Sequence, residues 1–457
     1  MSTKETGSGM RSRVERRRRG ALAAIGLVAG LQTAFAADAA RAETSGDGEE
    51  AVKERLASPR ELRRMKKHLK KLYDGMVVVH AFSDADGREI SCVTIESQPA
   101  FRNRKLRQHT LSLAPEKAIS ELKGEFVDER KDPAGDQKAA YAGQLRGDAD
   151  QQGRKRACPD RTVPIARLTI DDLARFPTLE AFLAKIPGGK PDDDEAKPED
   201  NVGPTDLHQY AYVRDYVDNW GAETVFNVWS PYVERSNEFS LSQMWVVRGS
   251  GASRETIESG WQVYRQKYGD WRAHLFLYFT PDNYGDGGCY NLECSGFVQV
   301  ANSIYIAGGF TNYSSHGGTQ YVFKLLWVRD PANGNWWLRY GNTWVGYYPN
   351  ELFDSAGLKN KADKLSYGGE IIDRQTDGDH TSTDMGSGDQ PSQGFGHAAY
   401  QRSLRYVDLT YTYRSHDGLI ATRDDANCYD IDLYSANGSW GDHFYFGGEG
   451  YDSVNCQ

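Results

Sequence analysis

From residue 205 to the C-terminus the chain is written almost entirely in short alternating runs. "EFSLSQMWVV", "TIESGWQVY", "RAHLFLYFT", "SGFVQVANSIYI", "TQYVFKLLWV", "NWWLRYG", "SYGGEIID", "RYVDLTYTY", "CYDIDLYS" and "DHFYF" follow one another, separated by Gly, Asn and Asp turns. A period of two sends successive side chains to opposite faces, and tight polar turns bring the chain back antiparallel. About ten such strands, with no helical pattern between them, can bury their apolar faces only against one another, which predicts an antiparallel β-sandwich or barrel. In "TIESGWQVY" the alternation places Ile257, Trp261 and Val263 on one face and Thr256, Glu258, Gly260 and Gln262 on the other. A glutamate on a strand in so aromatic a region needs a reason.

The upstream sequence has a different character. Residues 43–187 are rich in Lys, Arg, Glu and Ala and contain two helical stretches, "SPRELRRMKKHLKKLYDGM" and "TIDDLARFPTLEAFLAKI". The second opens with Thr169 and Asp171 ahead of an apolar-periodic run, the signature of a helix start. Between them "MVVVHAFSDADGREISCVTI" alternates around Asp-Ala-Asp-Gly and predicts a hairpin. "GGKPDDDEAKPEDNVGP", residues 188–204, has Val202 as its one large apolar residue and cannot pack a core, so it reads as a linker between two domains.

Residues 1–42 read as an export signal: a basic stretch, "RSRVERRRRG", then "ALAAIGLVAGLQTAFA", then small residues at Ala34 and Ala36. The apolar run falls short of the roughly 18 residues of a membrane span. The arginines suit a twin-arginine route as well as the general one. The expected organisation is therefore signal peptide 1–42, N-terminal domain 43–187, linker 188–204 and β domain 205–457, secreted and free of the membrane once the signal is removed. A net charge of -9 argues against nucleic acid, which needs a basic surface. That acidity belongs to residues 205–457, where acids outnumber bases by about thirteen.

All six cysteines lie beyond the signal, an even number that suits an oxidising destination. Six cysteines allow about fifteen connectivities. The expected pairing, Cys92 with Cys158, Cys289 with Cys294 and Cys428 with Cys456, keeps each bridge inside one domain, though spacing alone leaves the other connectivities open. The C-x4-C pair has no matching second half for zinc, and no metal or cofactor is expected.

Elimination narrows the chemistry. The chain has no GxSxG elbow, Walker loop, dinucleotide fingerprint or HExxH, and bridged cysteines are not nucleophiles. His274, His316, His380 and His397 read as ordinary surface or core histidines. What remains are carboxylates in unusual settings, Glu258 in "TIESGW" and Glu370 in "YGGEII", each beside glycine on a predicted strand. A glycine there would let a substrate backbone approach closely.

The stretches "FSLSQMWV", "TIESGWQVYRQKYGD", "LFLYFTPDNYGDGGCYNLECSGFVQ", "NWWLRYGNTWVGYYPNELF", "SYGGEI" and "DMGSG" resemble the neprosin family of glutamic endopeptidases. Upstream, "DGREISCVTIESQPAFRNRKLRQHTLSLAPE" and "CPDRTVPIARLTIDDL" resemble that family's activation peptide. The resemblance implies Glu258 and Glu370 as a catalytic pair, two sheets packed as a lectin-like sandwich, and cleavage after proline. Ser259 and Tyr367 depart from the family pattern, which has a small residue such as alanine and a tryptophan there. Residues 405–457 match loosely apart from their cysteines.

Two carboxyls sharing a site split their titration, one ionised to take a proton from water and one protonated to polarise the carbonyl and supply the leaving nitrogen. Acid-shifted activity follows. Trp245, Trp261, Trp344, Tyr347 and Tyr348 offer aromatic surface for a proline-containing peptide or protein substrate, and Gln243 and Gln262 offer hydrogen bonds. Glu351, in a turn after Pro349, reads as a surface or capping residue. The upstream half becomes an intramolecular inhibitor, with Pro187, Pro191, Pro198 and Pro204 as self-processing sites and Asp192 to Glu195 as acid-sensitive charges. The alternative is a secreted carbohydrate-binding module without hydrolytic activity, in which "DNYGDG" and "DRQTDGDHTSTD" would be calcium loops.

Overall fold

Seven strands pair antiparallel in the spatial order Cys289–Tyr290, Ala273–Thr280, Glu255–Val263, Ser240–Arg248, Lys364–Asp373, Leu207–Asp215, Ile420–Arg423. A ten-stranded sheet faces it, with Tyr321–Arg329, Gly221–Asn227 and Ala399–Val407 at its centre. The alternation read from the sequence decides what lies between the two. Met244, Val246, Ile257, Trp261, Val263, Leu365 and Ile371 of the first sheet meet Phe226, Phe323, Leu325, Trp327, Trp336 and Tyr348 of the second, all within one buried cluster. The computed structural model describes residues 56–120, 122, 139–144, 147–185, 207–285, 287–375, 378–435 and 440–457. The signal segment and the linker, with Pro187, Pro191, Pro198, Pro204 and Asp192 to Glu195, lie outside the described residues.

The N-terminal part is mixed α+β. Ser58 caps a helix over Pro59–Tyr73, its side chain accepting from Glu61 N–H at 3.3 Å. The hairpin forms as expected, Val78–Ser83 against Glu89–Thr94, and Thr162–Ala166 completes a three-stranded sheet. The single helix expected from Thr169 onward is two short ones, Ile170–Ala174 and Leu179–Leu183. Thr169 does cap the first, through a reciprocal pair with Asp172, but Pro177 cannot continue it, and Thr178 starts the second. The bridges are Cys92–Cys158, Cys289–Cys294 and Cys428–Cys456.

This N-terminal part clasps the sandwich on both sides. Leu173, Phe176 and Phe182 bury against Phe239, Leu241, Phe276 and Tyr290 on the outer face of the seven-stranded sheet. Ala100 and Ile119 bury against Trp337 and Tyr347 on the outer face of the other. Gln98 joins this second contact by donating to Gln299 O at 2.9 Å and accepting from Gln299 N–H at 2.7 Å. Ala140–Tyr141 adds a short parallel strand beside Tyr321 and Val322.

Candidate active site

Three adjacent strands carry the site. In the antiparallel register Gln243 lies opposite Gly260 on one side and Gly368 on the other, which puts it on the same outward face as Glu258 and Glu370. Both glutamates are fully buried. Buried carboxylates need partners, and each has several. Glu258 Oε1 accepts from Thr256 Oγ1 at 2.8 Å and from the Tyr284 hydroxyl at 2.6 Å. Glu370 Oε1 pairs with His208 Nδ1 at 2.7 Å and accepts from the Tyr210 hydroxyl at 3.4 Å, while its Oε2 accepts from Gln243 Nε2.

The remaining partner joins the two. Lys185, just past the Leu179–Leu183 helix of the N-terminal part, donates from Nζ to Glu258 Oε2 at 2.6 Å, to Glu370 Oε2 at 2.7 Å and to Gln243 Oε1 at 2.9 Å. One ammonium thus bridges both carboxylates, with its side chain 2 % exposed. Burial alone would raise the Glu370 carboxyl, but the Lys185 charge and the His208 contact outweigh it and hold the group at about 2. The Lys185 ammonium is itself held up by the two carboxylates against its burial. Burial beside the negative charges pushes the Tyr210 and Tyr284 phenols well above their ordinary range.

The loop that delivers Tyr284 is held unusually. Asn283 and Tyr284 both take left-handed backbone at φ 52° and 60°, a conformation side-chain-bearing residues seldom adopt in succession. The turn is tied by Tyr284 N–H to Thr280 Oγ1 at 2.7 Å and by Gly287 N–H to Asp282 Oδ2 at 2.9 Å.

Of the expected substrate residues, the structure brings Gln243 and Trp245 to this site. Trp245 pairs across the strands with Glu258 and lies 5.5 Å from the Lys185 ammonium. Gln262 shares the face but lies four residues along the strand, bonded to the Tyr290 and Tyr268 hydroxyls at 3.3 Å. Trp261 does not belong to the site. It points into the core, and its indole N–H donates to Asn227 O at 2.8 Å. Tyr348 is likewise core, stacked 5.5 Å from the Trp327 ring. Tyr347 and Trp344 sit on the outer face of the other sheet, around Trp337. There the Tyr347 hydroxyl meets His109 Nε2 at 2.9 Å, and His109 Nδ1 meets Glu351 at 3.0 Å, a second contact between the two halves. Alternation sets Trp261 on the face opposite Glu258, but it cannot tell which sheet carries Trp344, Tyr347 and Tyr348.

The glycines also act differently from expectation. A Cβ on Gly260 would stand 1.9 Å from Ser242 O, and one on Gly368 would stand 2.4 Å from Ala211 O. They make room for the neighbouring strands. The two family departures are accommodated in the core: Ser259 Oγ accepts from the Trp327 indole at 2.8 Å, and the Tyr367 hydroxyl meets His416 Nε2 at 3.1 Å. Lys185, His208, Tyr210, Thr256 and Tyr284 were not singled out from the sequence. The strand that carries His208 and Tyr210 pairs with the Glu370 strand from 160 residues away, an adjacency that the local sequence does not announce.

A β-sandwich with a carboxylate site stoppered by its own N-terminal segment defines a class, the precursor of a glutamic-type peptidase. The chain belongs to the neprosin family: residues 236–449 match neprosin, and residues 81–214 match the neprosin activation peptide. Among solved structures, scytalido-glutamic peptidase with a peptide-based transition-state analogue is similar at 12 % identity and a TM-score of 0.31, over 54 % of this chain and 100 % of that one. SCP-B, a member of the eqolisin family of peptidases in complex with the tripeptide Ala-Ile-His, is similar at 11 % identity and a TM-score of 0.28, over 53 % and 97 %. CG-16, a homodimeric agglutinin from chicken liver, is similar at 11 % identity and a TM-score of 0.18, over 36 % and 93 %.

Proposed function

We propose that this chain is an exported zymogen of an acid-active endopeptidase that hydrolyses the bond on the carboxyl side of proline, with Glu258 and Glu370 activating the water. The observation that carries the reading is the single ammonium of Lys185 bonded to both carboxylates and to Gln243. Its Nζ occupies the position a water would take between the pair, so the precursor is latent as long as Lys185 stays.

Once it leaves, two carboxyls share the site and one keeps a proton. The ionised member accepts a proton as the water oxygen attacks the carbonyl carbon. The other donates to the amide nitrogen as the C–N bond breaks. Gln243, on the strand between those of the two glutamates, would donate to the developing oxyanion. The preference for proline is supported by the aromatic wall beside the pair, where Trp245 and Tyr212 rings lie 6.1 Å apart.

The test is cleavage of quenched proline-containing peptides from pH 3 to 8 by acid-matured protein, beside Glu258→Gln and Glu370→Gln. Acid-dependent cutting lost in both variants is expected. Cutting that survives both substitutions would place the chemistry elsewhere, and matured protein that binds glycans while cutting no peptide would be a lectin.

A further inference from the structure

A second buried charge pair lies along the same face, outside the catalytic group. Lys267, in the short helix Arg265–Tyr268, is held by Glu293, and among the described residues of the N-terminal part its Nζ also donates to the Phe182 carbonyl oxygen. The Phe182 ring lies 3.8 Å from that ammonium, and the Tyr290 ring lies 4.5 Å away on the sandwich side. Phe182 is completely buried in the cluster that holds Phe239, Tyr264, Tyr268, Phe276 and Tyr290. Burial pushes the Lys267 ammonium down and the Glu293 carboxyl up, as for a charge pair closed off from water.

Phe176, whose ring packs 5.4 Å from that of Phe182, leaves with the N-terminal part, whereas Lys267, Glu293 and the Tyr264, Tyr268, Phe276 and Tyr290 side chains stay with the sandwich. They would then form an aromatic recess with one ammonium at its edge, on the face that carries the glutamates. Gln262 reaches Tyr290 and Tyr268, and it stands four residues from Glu258 on a single strand, about 13 Å at the usual rise. An extended peptide spans that distance in three to four residues.

We infer that the recess vacated by Phe182 is a substrate subsite for an aromatic or large apolar side chain three to four residues from the scissile bond, with Lys267 donating to the backbone carbonyl of that residue. The inference rests on the peptidase reading. In the precursor Phe182 fills the recess while Lys185 fills the catalytic position, so the inhibitory segment occupies two stations of one groove. The donor fits a carbonyl because it already holds one, and the recess fits a planar apolar group because the Phe182 ring already lies 3.8 Å from the ammonium, with Tyr290 4.5 Å away on its sandwich side.

The test is a phenylalanine scan through a quenched proline peptide, five positions on either side of the proline, against alanine at the same positions, using the acid-matured enzyme. Phenylalanine is expected to raise kcat/KM by about tenfold or more at one position three to four residues from the cut, as a well-filled apolar pocket does. In Lys267→Met kcat/KM should fall about tenfold for the phenylalanine and alanine peptides alike, because the donor meets a backbone carbonyl that both carry, and Lys267→Arg should restore part of it. Wild-type enzyme that cuts the alanine peptides and shows no phenylalanine gain at that distance overturns the inference and leaves the peptidase reading standing. If the methionine variant fails to fold, the wild-type scan alone decides. Enzyme that cuts none of the peptides would instead refute the peptidase reading itself.

Discussion

Replacing Lys185 by methionine keeps the length of the side chain and removes its charge. The Glu370 carboxyl is depressed from 4.5 to about 2, because the Lys185 charge and the His208 contact together outweigh its burial. At 1.36 kcal/mol per pH unit that depression is worth about 3 kcal/mol. Removing one member of a buried pair costs about 3–5 kcal/mol, which is of the same order. The sign is fixed by the direction of the shift. A depressed carboxyl stabilises the closed precursor fully above its unfolded value near 4.5, and that contribution is lost as the pH falls from 4.5 towards 2.

Wild-type precursor should therefore stay latent at pH 6 and open inside that acid window. The methionine variant lacks most of the increment, because no ammonium holds the Glu370 carboxyl down. It should open and mature at higher pH, with a flatter dependence between 4.5 and 2. The assay is conversion on denaturing gels together with peptide cleavage, at half-unit pH steps. Variant and wild type converting over the same pH range would refute the latch.

Tyr284→Phe removes one donor to Glu258. A hydrogen bond to a charged group is worth about 1.5–3 kcal/mol, so kcat/KM should fall roughly 10- to 150-fold, with a moved acid limb in the pH profile. Trp261→Ala should cost about 3–5 kcal/mol in thermal or denaturant unfolding and leave the KM of the folded fraction for proline peptides alone, since the indole is core; a raised KM at unchanged stability would return it to the site. Replacing Cys92 and Cys158 by serine opens a bridge of sequence separation 66 in the N-terminal part. Loop entropy sets that loss at about 4 kcal/mol, so the serine variant should mature at higher pH than wild type, and an unchanged threshold would show that this bridge does not hold the latch.

Much of the fold was written in the alternation, and the site was legible only in part. "TIESGWQVY" put Glu258 and Trp261 on opposite faces, and the structure keeps them there. Gly221–Asn227 was missed as a strand, since its run "GAETVFN" mixes polar residues into both faces and a sheet on one side and covering chain on the other bury them all. Pro177 was a visible break in a segment read as one helix. Tyr347 and Tyr348 are adjacent and aromatic, yet one meets His109 outside the second sheet and the other fills the core. That difference depends on which sheet the strand joins, which local sequence does not encode. Lys185 was least legible of all, because nothing about a lysine near a helix end announces two carboxylates that lie 73 and 185 residues further along the chain.

The two halves also fix where the chain must be cut. On the proposed reading Lys185 has to leave, because its ammonium bridges Glu258 and Glu370. Leu207–Asp215 has to stay, although the activation-peptide match runs to residue 214. That strand pairs with all of the Glu370 strand from Leu365 to Asp373, and it carries His208 and Tyr210, two of the groups that hold the Glu370 carboxylate. Cutting behind it would strip the sheet at its central glutamate. Maturation is therefore expected between residues 186 and 206, the stretch that contains Pro187, Pro191, Pro198 and Pro204. Sequencing the mature N-terminus decides it: a first residue beyond His208 in an active enzyme would mean that Glu370 works without its histidine.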